Sequence, residues 1–132
     1  YMICTLSKHE AERQGFSESL MLDHEGNVAE STSANVFFKD NNGELHTPIP
    51  DCFLDGITRR TVIDIAKSKN IKVHERKILP EELKNFAGCF LTGTAAEITP
   101  VSKIAENNYK VCDLIIDLSS SYGKLVRKKK AA

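Results

Sequence analysis

Three short stretches of the sequence carry residue types that could do chemistry. Glu30 is a lone carboxylate heading a polar run, Ser31-Thr32-Ser33-Ala34-Asn35, just before a strongly apolar segment. Gly56-Ile57-Thr58 sets a glycine, backbone amides and a hydroxyl at the opening of the best-patterned helix. Helix N-termini are ready anion sites, because their first N–H groups have no partner within the helix. Gly93-Thr94-Ala95-Ala96 closes an apolar strand with small residues whose amides can cradle a second anion. Two anion cradles and one acid suit a phosphorylated cofactor with a basic ring nitrogen. Each stretch also has a plain reading. Glu30 can be a surface strand residue, Thr58 a helix cap and Gly-Thr an ordinary turn. Only their combination in one chain points to a site.

The elements that must position these residues can be read from pattern. Residues 2–14 read as a helix ended by Gly15, with Ile3, Leu6 and Ala11 near one face. Glu18 to Asp23 reads as a short strand running into the turn His24-Glu25-Gly26-Asn27. Asn35 to Lys39 (NVFFK) is a second strand, Asp40-Asn41-Asn42-Gly43 a hairpin turn, and Glu44 to Thr47 the returning strand. Ile57 to Lys69 is the clearest helix, with Val62, Ile65 and Ala66 on one face and Thr58 able to cap it. Ile71, Val73 and Glu75 begin an alternating strand. Pro80-Glu81-Glu82 opens a helix with proline first and acids at the positive dipole end. Cys89 to Thr92 is a short buried strand. Ile98 to Ile104 is a strand interrupted by Pro100, which places it at an edge or bulge. Asp113 to Lys130 is a last amphipathic helix with a basic end. The order predicts one mixed α/β (α+β) domain spanning 1–132, with no repeat and no linker.

Composition sets the outer limits. The 132 residues are 41% hydrophobic and 27% charged, with 7 Gly and 4 Pro, which excludes collagen-like, low-complexity and wholly disordered classes. Cations and acids number 18 each, but Lys124, Arg127, Lys128, Lys129 and Lys130 fall in the last nine residues without an acid among them. The body before them is therefore net acidic and has no global basic field for nucleic acid. Cys4, Cys52, Cys89 and Cys112 form no CxxC and no zinc spacing, so they read as reduced thiols of a cytoplasmic protein with no metal. No apolar run approaches a membrane span and no signal peptide is evident. His9, His24, His46 and His74 fall on predicted surface positions, and Tyr109 and Tyr122 read as packing residues. Arg59 and Arg60 flank the second cradle, with Asp55 or Asp64 as pairing options for Arg59.

The three stretches and their spacing resemble the class IV (fold type IV) pyridoxal-phosphate aminotransferases, matching their C-terminal, larger domain from about Tyr1 to Ile104. Leu22-Asp23, Gly26-Asn27-Val28-Ala29-Glu30 and Asn35-Val36-Phe37 look like the segment carrying the cofactor-ring acid. Leu54-Asp55-Gly56-Ile57-Thr58-Arg59 looks like the phosphate loop. Gly93 to Val101 (GTAAEITPV) looks like the turn holding phosphate and substrate carboxylate, and is closest to branched-chain aminotransferases. The resemblance implies a D-amino-acid aminotransferase-like fold, a mixed β pseudo-barrel with flanking helices. It implies that Glu30 pairs with the pyridine nitrogen and that Leu54 packs on the ring face. Gly56, the amides of Ile57 and Thr58, and the Thr58 and Thr94 hydroxyls would bind the phosphate of pyridoxal 5'-phosphate. The Thr94–Ala95 turn would take the substrate carboxylate, and Tyr1 would bond the ring hydroxyl. The lysine that bonds covalently to the cofactor in the family would lie a few residues before Tyr1. The chain is then expected to be a fragment, inactive alone and weakly loaded with cofactor, of a homodimer or larger homo-oligomer that moves an amino group between a branched-chain-like amino acid and 2-oxoglutarate.

Other readings stay open. Ser31 stands where the family often has glycine, and Ala34 where branched-chain enzymes usually have Glu. The run Ser-Thr-Ser-Ala-Asn looks more like D-amino-acid aminotransferases or aminodeoxychorismate lyases. Residues 105–112 replace the family's glycine-rich substrate loop. A non-catalytic domain that binds a partner or nucleic acid through its Lys124–Lys130 tail is a third reading.

Overall fold

The computed structural model describes residue 13 and residues 19–31, 34–50, 56–93, 97–104 and 107–131, the last four by backbone alone. The expected helix at 2–14 lies outside the described residues apart from Arg13, which is helical. The strands are β1 (Leu20–Leu22), β2 (Val28–Ser31), β3 (Asn35–Lys39), β4 (Leu45–Thr47), β5 (Val73–Glu75), β6 (Gly88–Gly93), β7 (Glu97–Pro100), β8 (Lys103–Ile104) and β9 (Asn107–Asn108). The helices are α1 (Ile57–Ser68), a 3₁₀ helix over Pro80–Asn85 and α2 (Asp113–Ala131). Five strands form one sheet in the order β5-β4-β3-β6-β7, antiparallel except at β4–β5. The pairs β1–β2 and β8–β9 make two small antiparallel sheets. The fold is mixed α/β of the α+β kind.

β3 is central and its first four residues are buried. That is why NVFFK reads as a continuous apolar run and not an alternating one. Phe37 stacks on Phe90 of β6, ring centroids 5.0 Å apart and planes 2° from parallel, on the face covered by Val62, Ile63 and Ala66 of α1 and by Ile115 and Leu118 of α2. Val36, Phe38 and Cys89 point to the other face and meet Val28, Ile78, Leu83, Phe86 and Tyr109. Each such large side chain stabilises the fold by about 1.5–3 kcal/mol relative to exposure. The Tyr109 hydroxyl donates to the Leu83 carbonyl at 2.7 Å, so it is the packing residue expected.

The hairpin turns of β1–β2 and β3–β4 share one device. Asp23 Oδ1 accepts the N–H groups of Glu25 and Asn27, each at 2.9 Å, and Gly26 follows at φ +85°. Asp40 Oδ1 accepts those of Asn42 and Glu44 at 2.9 and 3.0 Å, and Gly43 follows at φ +80°. An aspartate that bonds its own downstream backbone, followed by a glycine free to take positive φ, is a turn with a mechanism. α1 ends in a Schellman arrangement: Ile71 N–H donates to Ala66 O and Asn70 N–H to Lys67 O, with Asn70 at φ 62°.

Several expectations need correction. The strand expected at 98–104 is two strands, because Pro100 cannot donate to a ladder and ends β7 at the sheet edge. The helix at Pro80 is a single 3₁₀ segment, with Glu82 accepting the Leu79 N–H at 2.8 Å. Arg59 pairs with Glu75, is 1% exposed and also donates to the Pro48 carbonyl; of its two expected partners, Asp64 is not among these and Asp55 lies outside the described residues. His46 and His74 are partly buried, the His74 side chain remaining 36% exposed. Their rings stack 4.7 Å apart across the parallel β4–β5 pair, each bonded to a carboxylate. Among the described residues, no helix is long and apolar enough to cross a membrane.

Candidate functional site

α1 begins with Gly56 as its N-cap, in extended backbone (φ −66°, ψ 149°). Among the described residues no side chain caps the first turn, and no acid lies within it. Thr58 is therefore not the cap expected from sequence. It is the second helical residue, 5% exposed, and its hydroxyl lies 3.3 Å from the Tyr122 hydroxyl of α2. Ile57 is 84% exposed. The turn is fixed from the sheet side by Asn35, whose Oδ1 accepts the Gly56 N–H at 3.2 Å. A Cβ on residue 56 would stand 2.7 Å from that oxygen, so any larger residue here would push Asn35 aside. Asn35 thus braces a turn whose backbone amides open the positive end of a three-turn helix.

Register adds a third polar group. Asn35 pairs with Thr92 across β3–β6, so the two side chains share the helix-covered face of the sheet. Thr92 is 1% exposed, and its hydroxyl has no hydrogen-bond partner among the described residues. Glu97, which follows the Thr94–Ala96 stretch, takes φ 50°, a left-handed conformation that is costly for a residue with a Cβ.

Glu30 lies on β2 opposite Met21 of β1. It is partly buried, and its carboxylate makes no hydrogen bond or ion pair among the described residues. Burial alone pushes its pKa above the ordinary carboxylate value. The turn after it is closed by Ser31, whose Oγ accepts the Ala34 N–H at 3.0 Å and so delivers Asn35 into β3. Glu30 and the strand that carries Asn35 to the Gly56 turn are thus joined through one short polar segment.

The structure brings Gly56, Ile57 and Thr58 together with Asn35, and among the described residues it leaves Glu30 without a partner. Tyr1, Leu54, Thr94 and Ala95 lie outside the described residues. Sequence reasoning quoted Asn35 without giving it a role, and it missed Thr92 and the Tyr122 contact. An asparagine opening an apolar strand was the available signal for the first. The described residues fit a ligand with a cationic nitrogen and an anionic group: an unpartnered acid, an uncapped helix start and a buried hydroxyl without a partner.

The residue pattern of the amino-transferase class IV family matches residues 1–104. A probable branched-chain-amino-acid aminotransferase of Rickettsia bellii is 42% identical over 134 residues, covering 96% of this chain and 45% of that protein. The branched-chain aminotransferase of Thermoproteus uzoniensis, solved with norvaline, superposes with TM-score 0.91 at 36% identity, over 96% of this chain and 42% of that one. An aminotransferase from Brucella abortus, solved bound to the cofactor PLP, superposes with TM-score 0.90 at 30% identity, over 95% and 45%. The chain thus spans a little under half the length of the relatives it matches. With its matched stretch holding the strands and helix start built around Glu30 and Gly56, this chain belongs to the class IV aminotransferases.

Proposed function

We propose that this chain is the C-terminal, cofactor-binding domain of a longer pyridoxal-phosphate enzyme that transfers an amino group between a branched-chain amino acid and 2-oxoglutarate. The observation that carries the reading is Glu30, a partly buried carboxylate with no protein partner among the described residues. A cation placed beside it would restore its ordinary acidity, which is what a protonated ring nitrogen supplies. Pyridoxal 5'-phosphate, when bound, supplies an electron sink for the substrate's α carbon. The residues of this chain hold and orient it. Glu30 keeps the proton on the ring nitrogen. The α1 amides of Ile57 and Thr58, with the Thr58 and Thr94 hydroxyls, hold the phosphate, and Asn35 fixes the Gly56 turn beneath them. Leu54 packs on the ring, Tyr1 bonds the ring hydroxyl, and the Thr94–Ala95 turn receives the substrate carboxylate. The covalent lysine and a smaller domain lie upstream of Tyr1 in the longer protein, which we place in the cytoplasm as a homodimer or larger assembly. The 132-residue stretch alone does not turn over.

The test is an absorbance titration of the longer protein loaded with cofactor. Branched-chain L-amino acids should bleach the cofactor band, and 2-oxoglutarate should restore it. Bleaching by D-alanine but not L-leucine would move the reading to a D-amino-acid aminotransferase. Pyruvate released from aminodeoxychorismate without an oxo-acid acceptor would move it to a lyase. The polar run before Asn35 is the observation that keeps those two in view.

A further inference from the structure

α1 contains two threonines near its start, and their hydroxyls are used differently. Thr61 donates back to the carbonyl of Ile57 at 3.0 Å, the usual outlet for a hydroxyl inside a helix. Thr58 instead meets the hydroxyl of Tyr122, 64 residues away on α2, and is 5% exposed. Tyr122 lies partly buried against the core shared by α1, α2 and the sheet, so its ring is held in place by packing. A hydroxyl carries one proton and accepts others. If Tyr122 donates, the Thr58 oxygen is satisfied as an acceptor and its own proton stays available to an anion at the helix start. The backbone of the turn is already set by Asn35 on Gly56. What remains to be set is the threonine rotamer, which is split between two wells in helices.

We propose that Tyr122 is a positioning residue for cofactor phosphate, acting through Thr58: it holds the Thr58 side chain in the rotamer that directs its proton to the anion. This rests on the function proposed above. It gives the last helix, which lies beyond the family-matched residues, a part in the site.

The test compares pyridoxal 5'-phosphate with pyridoxal, which lacks the phosphate, by fluorescence titration of the longer protein freed of cofactor. Tyr122→Phe keeps the ring and its packing. It should weaken pyridoxal-phosphate binding by roughly 3- to 10-fold, the range of one neutral hydrogen bond, and leave pyridoxal binding unchanged. Thr58→Val should weaken phosphate binding more, and adding Tyr122→Phe to it should cost nothing further. Equal loss for both ligands would mean a merely structural tyrosine and would overturn the proposal, as would phosphate binding unchanged in Tyr122→Phe. Wild-type protein that binds neither ligand would instead overturn the proposed function, and this inference with it.

Discussion

β3 has a group of polar residues at each end, and the two ends are built on opposite terms. At its far end every group is answered. Asp40 Oδ2 lies 2.8 Å from His46 Nε2, and Arg76 Nε donates to His46 Nδ1 at 3.1 Å. Because Arg76 can only donate, Nδ1 must accept, and the proton of the neutral ring sits on Nε2, facing Asp40. Arg76 also pairs with Glu82 at 2.7 Å, and His74 with Glu44 at 2.6 Å. Two carboxyls there, Glu82 and Asp40, titrate below the ordinary range. The Arg76 hydrogen bond holds Glu82 below the usual range. For Asp40 burial opposes, but His46 and the Glu44 and Asn42 amides prevail. At the near end, Glu30 and the Thr92 hydroxyl have no partner among the described residues, and the Glu30 pKa is raised. Polar groups that satisfy one another build structure. Polar groups left waiting in a partly buried place mark where something else binds.

Glu30→Gln should produce the largest effect. Transamination by the longer protein should fall by a factor on the order of a hundred to a thousand, as for loss of one preorganised electrostatic partner. The fold, freed of an isolated carboxylate, should be no less stable at neutral pH. A variant that lost stability and kept its rate would reverse the roles of the two ends, and steady-state rates beside urea midpoints would show it.

Gly56→Ala should come next. Its Cβ would meet Asn35 Oδ1 at 2.7 Å, so the asparagine must swing away and release the Gly56 amide. The expected loss is about 1–3 kcal/mol in the urea midpoint, typical of overpacking. Asn35→Ala in the same protein should relieve the clash, so the double variant should be more stable than the two single losses predict. Simple additivity would mean that Asn35 does not hold the turn.

Much of this was legible in the chain. NVFFK, flanked by a polar run and an Asp-x-x-Gly turn, marks β3 to the residue because turn chemistry and burial agree. α1 was legible from its apolar spacing. Arg59 owes its burial to its position more than to its type. It stands at i, with Val62, Ile63 and Ala66 at i+3, i+4 and i+7, so the helix carries it into the core, where Glu75 and the Pro48 carbonyl meet it. His46 and His74 lie 28 residues apart and become neighbours only through the parallel β4–β5 pairing, a long-range contact that no local pattern announces. Glu30 was legible as a candidate from its surroundings, but its lack of a partner among the described residues is a property of the folded arrangement.

A third variant pair tests the sign of the comparison. Arg76→Met strips a donor from both His46 and Glu82. It should destabilise the fold by about 1 kcal/mol and leave cofactor affinity untouched, since these groups are part-exposed and partly screened. Thr92→Val keeps the shape of the side chain and removes a hydroxyl without a partner, so the cofactor-free fold should be equally stable or slightly more so. Thermal melts of both variants without cofactor decide it. A Thr92→Val protein less stable than Arg76→Met would show that the hydroxyl is answered after all.

The smallest effect lies in the pH dependence of the cofactor-free fold, where the two ends should pull in opposite directions. Asp40 and Glu82 titrate lower in the fold than in the unfolded chain. Their contribution is therefore complete above the ordinary carboxylate range and is lost as pH falls through their lowered values. Glu30 titrates higher in the fold. Its contribution is complete below the ordinary range and is lost as pH rises through its raised value. Each amounts to a few tenths of a kcal/mol, because water reaches all three groups. Urea midpoints followed from pH 3.5 to 8 should separate them. Asp40→Asn should flatten the acid limb, and Glu30→Gln should remove a loss on the way to neutrality. Loading the longer protein with cofactor should then erase the Glu30 contribution, because a cationic ring nitrogen returns that carboxyl toward its ordinary acidity. If the Glu30 limb persists in the loaded protein, the waiting carboxylate is not what the cofactor answers.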